Sequence, residues 1–254
     1  MKKSTCIISM PRSGSELLMH HLSAACDLDY GGKFLCQTFS NPMHVVRNVD
    51  RILFKELYSL VPINKRMSLD DFKDFVEQDF KERINIASSF ERGVIGKAFT
   101  SSQYYKLFPV FLDRIFSEFN VIVLTRKDSY KNILSGFICK ELNTWHVHND
   151  VELANVKEKL HNLRFNISEN VFIREIQEIN SLNTLYKNVK SCYNDVVTLQ
   201  YEDFKNNPTA ELNSIFNTNI DVNKVFKLRK FIDDHESHII NIERIKQLYR
   251  LYSV

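Results

Sequence analysis

Two stretches of this chain set cations and hydroxyls directly behind a short apolar run. In the first, Cys6 to Met10 leads into Pro11-Arg12-Ser13-Gly14-Ser15, after which Leu17, Leu18, Leu22 and Ala25 recur at helical spacing over Ser15 to Cys26. In the second, Asn120 to Thr125 ends at Arg126, Asp128 stands where a helix N-cap belongs, and Ser135 falls two turns inside a helix predicted over Ser129 to Glu141. A strand that turns at once into a helix aims the unpaired N–H groups of the first helical turn at one spot, which is a cradle for an anion. Gly14 permits close backbone approach, Ser13 and Ser15 add hydroxyl donors, and Arg12 brings a planar cation matched to phosphate or sulfate oxygens. Arg126 and Ser135 make a second place of the same kind. A nucleotide kinase would want a carboxylate at that strand end to hold Mg²⁺, whereas an arginine suits a second phosphate.

Other chemistries fit these residues less well. A Walker A loop requires G-x-x-x-x-G-K-[ST], but no glycine precedes Gly14 at that distance and no lysine follows it. Cys6 and Arg12 satisfy the C-x5-R spacing of a phosphatase, yet Cys6 lies within the apolar run and reads as core. His146-x-His148 with Asp150 is too sparse to assign a metal, and none is required by this reading. The five cysteines are scattered, odd in number and never spaced C-x-x-C, which argues against a disulfide framework or zinc and points to a reducing, cytoplasmic setting.

The elements that must position these residues are legible as alternation. Four apolar runs, Cys6 to Met10, Gly93 to Phe99, Asn120 to Thr125 and Asp195 to Gln200, predict buried strands. Between them, Ser15 to Cys26, Gln103 to Phe116, Ser129 to Glu141 and Ser168 to Val189 predict helices; in the last of these Phe172, Ile176, Ile179, Leu182, Tyr186 and Val189 share one side. Strands alternating with helices imply a three-layer α/β fold with a central parallel sheet. The polar segment Asn143 to Ile167 is expected to be an active-site loop or lid, or equally a mobile insertion. With 254 residues, 44% hydrophobic and 26% charged, the chain has the composition of one folded domain spanning 1–254. A formal net charge of only +3 speaks against a nucleic-acid partner, and no apolar run approaches the roughly 18 residues of a membrane span.

The two anion motifs, in this order and setting, resemble the PAPS-dependent sulfotransferase family, whose donor is 3'-phosphoadenosine 5'-phosphosulfate (PAPS). That family carries a P-[RK]-[ST]-G-[ST] loop for the 5'-phosphosulfate and an Arg...Ser strand-helix unit for the 3'-phosphate. Tyr201-Glu202-Asp203-Phe204 with Asn207-Pro208 is similar to its Y-E-D-L...P segment, and Leu228-Arg229-Lys230 to its basic C-terminal stretch. The interval from Arg126 to Ser135 looks most like bacterial carbohydrate sulfotransferases. The resemblance implies a P-loop NTPase-like fold forming a single sulfotransferase domain, with PAPS as sulfuryl donor and a hydroxyl-bearing acceptor, a carbohydrate or glycolipid.

It further implies that Arg12, Ser13, Gly14 and Ser15 hold the phosphosulfate, Arg126 and Ser135 hold the 3'-phosphate, and Arg229 or Lys230 closes over that phosphate. Lys97 stands where many relatives place a lysine facing the sulfuryl group, and a solvated lysine at a strand end is an equally open reading. The base departs from the family pattern. Gln37 or Gly32 occupies the place of the bacterial glutamate, and Ala98-Phe99 follows Lys97 where cytosolic members have a histidine. His44, just after Asn41-Pro42, is the residue expected to take the acceptor's proton, ahead of Glu16, His20, His146 and His148. Two other readings stay open: a PAPS-binding protein without catalysis, and a nucleotide kinase-like P-loop protein.

Overall fold

The structure is a computed structural model that describes residues 4–10, 12–26, 29–32, 93–97, 110–147, 149–193, 195–216 and 232–253, with a few isolated positions between 74 and 91. Its strands are β1 (Thr5–Ser9), β2 (Asp29–Gly32), β3 (Val94–Lys97), β4 (Asn120–Thr125) and β5 (Val197–Gln200). They form one sheet in the order β2-β3-β1-β4-β5, with every pairing parallel. β1 is central: Thr5 stands opposite Ile95 of β3 on one side and Asn120 of β4 on the other.

Both faces of this sheet are buried, as the alternation along its strands shows. Cys6, Ile8 and Met10, with Val121 and Val123, enter one cluster; Ile7, Ile122 and Leu124 enter the other. This is the period-2 geometry of a strand with cover on both sides. The first face is covered by α2 (Val110–Glu118), α3 (Ser129–Glu141), α5 (Glu169–Cys192) and α8 (Ile242–Tyr252), through residues such as Ile115, Leu134, Phe172 and Ile245. The second is covered by α1 (Ser15–Cys26), α6 (Tyr201–Asn206) and α7 (Pro208–Phe216), through Leu18, Met19, Leu22, Phe204 and Leu212. The three-layer parallel α/β architecture expected from the alternation of apolar runs is therefore the observed one.

The order of strands decides where a ligand can enter. From β1 the chain leaves through α1 toward β2, on one side of the sheet; from β4 it leaves through α3 toward β5, on the other. Neighbouring strands whose connections depart in opposite directions leave a crevice beyond their carboxyl ends. The loops bearing Arg12 and Arg126 both lie at that crevice.

Two parts of the sequence behave differently from expectation. Asp29–Gly32 forms β2 although its Asp-Tyr-Gly-Gly composition favours a turn; among the described residues it is an edge strand that pairs only with β3, with a register shift between Tyr30 and Gly32. The polar segment predicted as a loop contains α4 (Asp150–Asn162), capped by Asn149, whose Oδ1 accepts from the Glu152 N–H at 2.8 Å. Only Val156 and Leu160 of this helix are buried, one turn apart, so its apolar stripe is too narrow to stand out in the sequence. Residues 142–147 remain irregular, and part of the predicted Gln103–Phe116 helix lies outside the described residues. Among the described residues no helix is long and apolar enough to cross a membrane.

The helix α5, 24 residues long, carries all six of its predicted core positions into the first cluster. Phe172 is fully buried at its start, 6.2 Å from the ring of Phe137 on α3. Phe172→Ala should lower the unfolding free energy in urea by about 3–5 kcal/mol, the usual cost of deleting a buried aromatic ring. A loss below about 1 kcal/mol would mean that this face of the sheet is not a packed core.

Candidate functional site

The loop after β1 turns through two left-handed residues. Arg12 has φ +62° and Gly14 φ +82°; among the described residues, Arg12 and Asn143 alone adopt positive φ without being glycine. For an L-residue that conformation costs roughly 1–2 kcal/mol, so something must hold Arg12 in it. Inside the turn, Ser13 Oγ donates to the Met10 carbonyl at 2.7 Å, and the Leu18 N–H donates to the Gly14 carbonyl at 3.1 Å, opening α1. The Ser13 hydroxyl, expected to face an anion, is thus directed into the loop itself. Gly14 has a second reason to be glycine: a Cβ there would run into the Cδ2 and Cε2 atoms of Tyr201.

The Arg12 side chain reaches across the crevice. Its Nε donates to Ser135 Oγ at 3.2 Å and its Nη1 to the carbonyl of Trp145, so β1, α3 and the segment following α3 meet at one guanidinium. Burial pulls the Arg12 pKa below its ordinary value, the neighbouring Cys139 opposes this and nearby Arg126 adds to it; the group stays charged, at an electrostatic cost that a bound anion would relieve. Cys139, one turn beyond Ser135, is fully buried, and burial pushes its thiol up despite the nearby guanidinium and a hydrogen bond with Ser135.

Arg126, at the end of β4, binds backward into the first loop. Its Nη1 donates to the Arg12 carbonyl at 2.8 Å and, more weakly, to Asn132 Oδ1 at 3.4 Å. Its guanidinium carbon lies 5.1 Å from the centre of the Tyr201 ring. Its Nε is 3.6 Å from Glu202 Oε1, which is close enough for charge attraction but too long for a hydrogen bond, and this buried N–H has no hydrogen-bond partner. An unmet buried donor on a cation costs free energy that an incoming phosphate oxygen would recover. The residues present therefore fit a ligand with anionic groups at this crevice.

A third strand contributes as well. Lys97, the last residue of β3, donates from Nζ to Ser15 Oγ at 2.8 Å, which brings its ammonium group to the first turn of α1. The sequence left this lysine equally open to a solvated role; the structure joins it to the loop. Glu16 and His20 pair across one turn of α1 at 3.8 Å. His146 is half-buried beside Trp145. His44, His148, Arg229 and Lys230 lie outside the described residues.

The sequence did not reveal how the loops are fastened. Glu202 Oε2 accepts from the Lys127 N–H at 3.0 Å, and Lys127 Nζ reaches Asp203 Oδ1 at 3.0 Å, so the start of α6 is locked to the end of β4. Tyr201 fills the space between Gly14 and Arg126. The only trace of these roles in the sequence is the Tyr-Glu-Asp run itself, and nothing local marks the Trp145 carbonyl as a partner for Arg12.

No protein-family model and no curated protein matches this chain. Among solved structures the chain is similar to a retinol dehydratase in a complex with retinol and PAP, at 12% identity and a TM-score of 0.38, covering 98% of this chain and 64% of that one. It is also similar to a sulfotransferase from Alicyclobacillus acidocaldarius, at 11% identity and a TM-score of 0.42, covering 99% of this chain and 96% of that one. The chain thus spans less than two thirds of the length of the retinol dehydratase.

Gly14→Ala combines a left-handed backbone with a clash against Tyr201, and only displacement of that ring from Arg126 would make room. It should lower the melting temperature by several degrees, consistent with a cost of about 2 kcal/mol or more. Calorimetric unfolding unchanged from the parent chain would show that the Tyr201 contact does not constrain the loop.

Proposed function

We propose that this chain binds PAPS at the crevice between β1 and β4 and transfers its sulfuryl group to an acceptor hydroxyl, with a carbohydrate or glycolipid as the acceptor class. The observation that carries this reading is the pair of arginines on adjacent strand ends, joined through the Arg12 carbonyl, with the buried Nε of Arg126 still lacking an acceptor. One nucleotide bearing separate 3' and 5' anions meets both cations at once. A single phosphate leaves one of them unexplained.

In this reading Arg12 and the N–H groups at the start of α1 take the 5' anion, and Arg126 with Ser135 takes the 3'-phosphate. Arg229 or Lys230 closes over the latter. Transfer requires the acceptor oxygen to approach sulfur in line with the departing 5'-phosphate oxygen; the new S–O bond forms as the old one breaks, and the 3',5'-bisphosphate leaves. The chain's task is electrostatic: in this reading Arg12 and Lys97, whose Nζ reaches Ser15 Oγ, stabilise charge on the sulfuryl and leaving oxygens. His44 accepts the acceptor's proton. The carbohydrate assignment rests on the spacing of the second motif, which resembles bacterial carbohydrate members.

Two measurements decide between this and a silent binding protein. Titration calorimetry should show adenosine 3',5'-bisphosphate binding the parent chain, and Arg12→Ala should weaken it by about 10- to 100-fold, the range of one or two charge-assisted hydrogen bonds, with the fold intact. Unchanged affinity in folded Arg12→Ala removes the 5' site. Incubation with PAPS and a panel of glycans should release the bisphosphate in step with sulfated product, and His44→Gln should cut turnover by roughly 10² to 10⁴ with little change in nucleotide affinity. Full turnover in His44→Gln would move the base elsewhere; bisphosphate binding without turnover on any acceptor would favour the binding-protein reading.

A further inference from the structure

The sequence motifs give each of the two anions its own strand-to-helix turn and its own arginine. The hydrogen bonds of Arg126 do not respect that division. Its Nη1 is committed to the Arg12 carbonyl at 2.8 Å, a residue of the other site, while its Nε edge is left without a hydrogen bond. Among the described residues of the first loop, the accepting carbonyl belongs to the one that is held left-handed without being glycine. A left-handed residue turns its carbonyl away from the course of the chain, and here that carbonyl is met by a cation.

The other hydrogen bonds described at this turn act on other groups. Ser13 Oγ donates to the Met10 carbonyl and closes the turn across Arg12 without touching the Arg12 carbonyl, and Gly14 adopts its φ without strain. The Arg12 side-chain bonds to Ser135 and Trp145 fix the guanidinium rather than the peptide. Arg126 is itself oriented from behind by Asn132, by the charge of Glu202 and by the face of Tyr201. A rigidly oriented cation donating to a strained peptide is a means of presenting the N–H groups that follow it.

The geometry points to Arg126 as the positioning residue of the first loop as well as a ligand of the second anion, so that the 5' and 3' groups are read by one connected unit, Arg126–Arg12–Ser135. This inference rests on the nucleotide reading above. Its consequence is that removal of Arg126 weakens a ligand that has no 3'-phosphate at all.

The test uses adenosine 5'-phosphate, which carries only the 5' group, beside adenosine 3',5'-bisphosphate, both titrated against the full chain by calorimetry or ligand-detected magnetic resonance. Arg126→Ala should weaken adenosine 5'-phosphate about tenfold, the worth of one charge-assisted hydrogen bond, and weaken the bisphosphate by a clearly larger factor. Arg126→Lys, which keeps a donor of similar reach, should restore adenosine 5'-phosphate to within about threefold of the parent while leaving the bisphosphate weaker, since lysine lacks the planar fork. Unchanged binding of adenosine 5'-phosphate in Arg126→Ala overturns the inference. A parent chain that binds neither nucleotide overturns the nucleotide reading instead.

Loss of charge alone is separated by repeating Arg126→Ala in two backgrounds that both lack the Arg12 guanidinium. Glycine at position 12 adopts the left-handed turn freely, whereas alanine does not. If Arg126 works by holding the turn, its removal should weaken adenosine 5'-phosphate by less than about twofold over Arg12→Gly and by about tenfold over Arg12→Ala. Equal losses in the two backgrounds show a through-space charge effect and refute the positioning role. Should Arg126→Ala fail to fold, Arg126→Met keeps the stem packed on Tyr201 and carries the same expectations.

Discussion

Two guanidinium groups near one turn of backbone, in a crevice that strips water from them, form the constraint around which this molecule is arranged. Burial and the neighbouring Arg126 both raise the cost of the Arg12 charge. The protein meets part of that cost with neutral acceptors, namely Ser135 Oγ, the Trp145 carbonyl, the Arg12 carbonyl and Asn132, and with one carboxylate, Glu202, held slightly too far to hydrogen-bond. Such an arrangement is poised for anions, because a ligand with two of them would supply the missing acceptors and the missing charge together.

The fold makes this possible by placing α1 and α3 on opposite faces of the sheet. Each helix starts just beyond its strand, so the two N-termini open toward a common crevice while their apolar sides enter separate cores. The loops cannot drift apart, since α6 returns from β5 and inserts Tyr201 between Gly14 and Arg126, with Glu202 and Asp203 fastened to Lys127. Lys97 arrives from β3 for the same reason of adjacency: β3 and β4 flank β1, and their last residues fall beside its loop.

Much of the fold could be read in advance because its elements carry strong local patterns. The continuous apolar runs of β1 and β4 and the 3.6-residue stripe of α5 leave little choice of conformation. β2 and α4 lack such patterns. A strand of Asp-Tyr-Gly-Gly is made by the pairing that β3 offers it, and α4 is fixed by an Asn149 cap and by packing of Val156 and Leu160 against Ile138 and Leu142. The same distinction holds at the site. Arg12, Gly14, Arg126 and Ser135 declare themselves by residue type behind a strand, whereas the Trp145 carbonyl is a backbone atom that any residue would carry.

What the sequence by itself determined is therefore the layered parallel α/β design, the presence of two cationic strand-to-helix turns, and the chemical kind of ligand they suit. These follow from local composition and period, which need no knowledge of distant partners. Only the tertiary structure decided that the two turns are one assembly. The hydrogen bond from Arg126 to the Arg12 carbonyl joins residues 114 apart in the chain, and the inward turn of Ser13, the join of Lys97 to Ser15 and the Tyr201 wall behind Gly14 likewise depend on which strands became neighbours. Strand order is set by how both faces of the sheet are best covered, a property of the whole core that no short stretch of residues encodes.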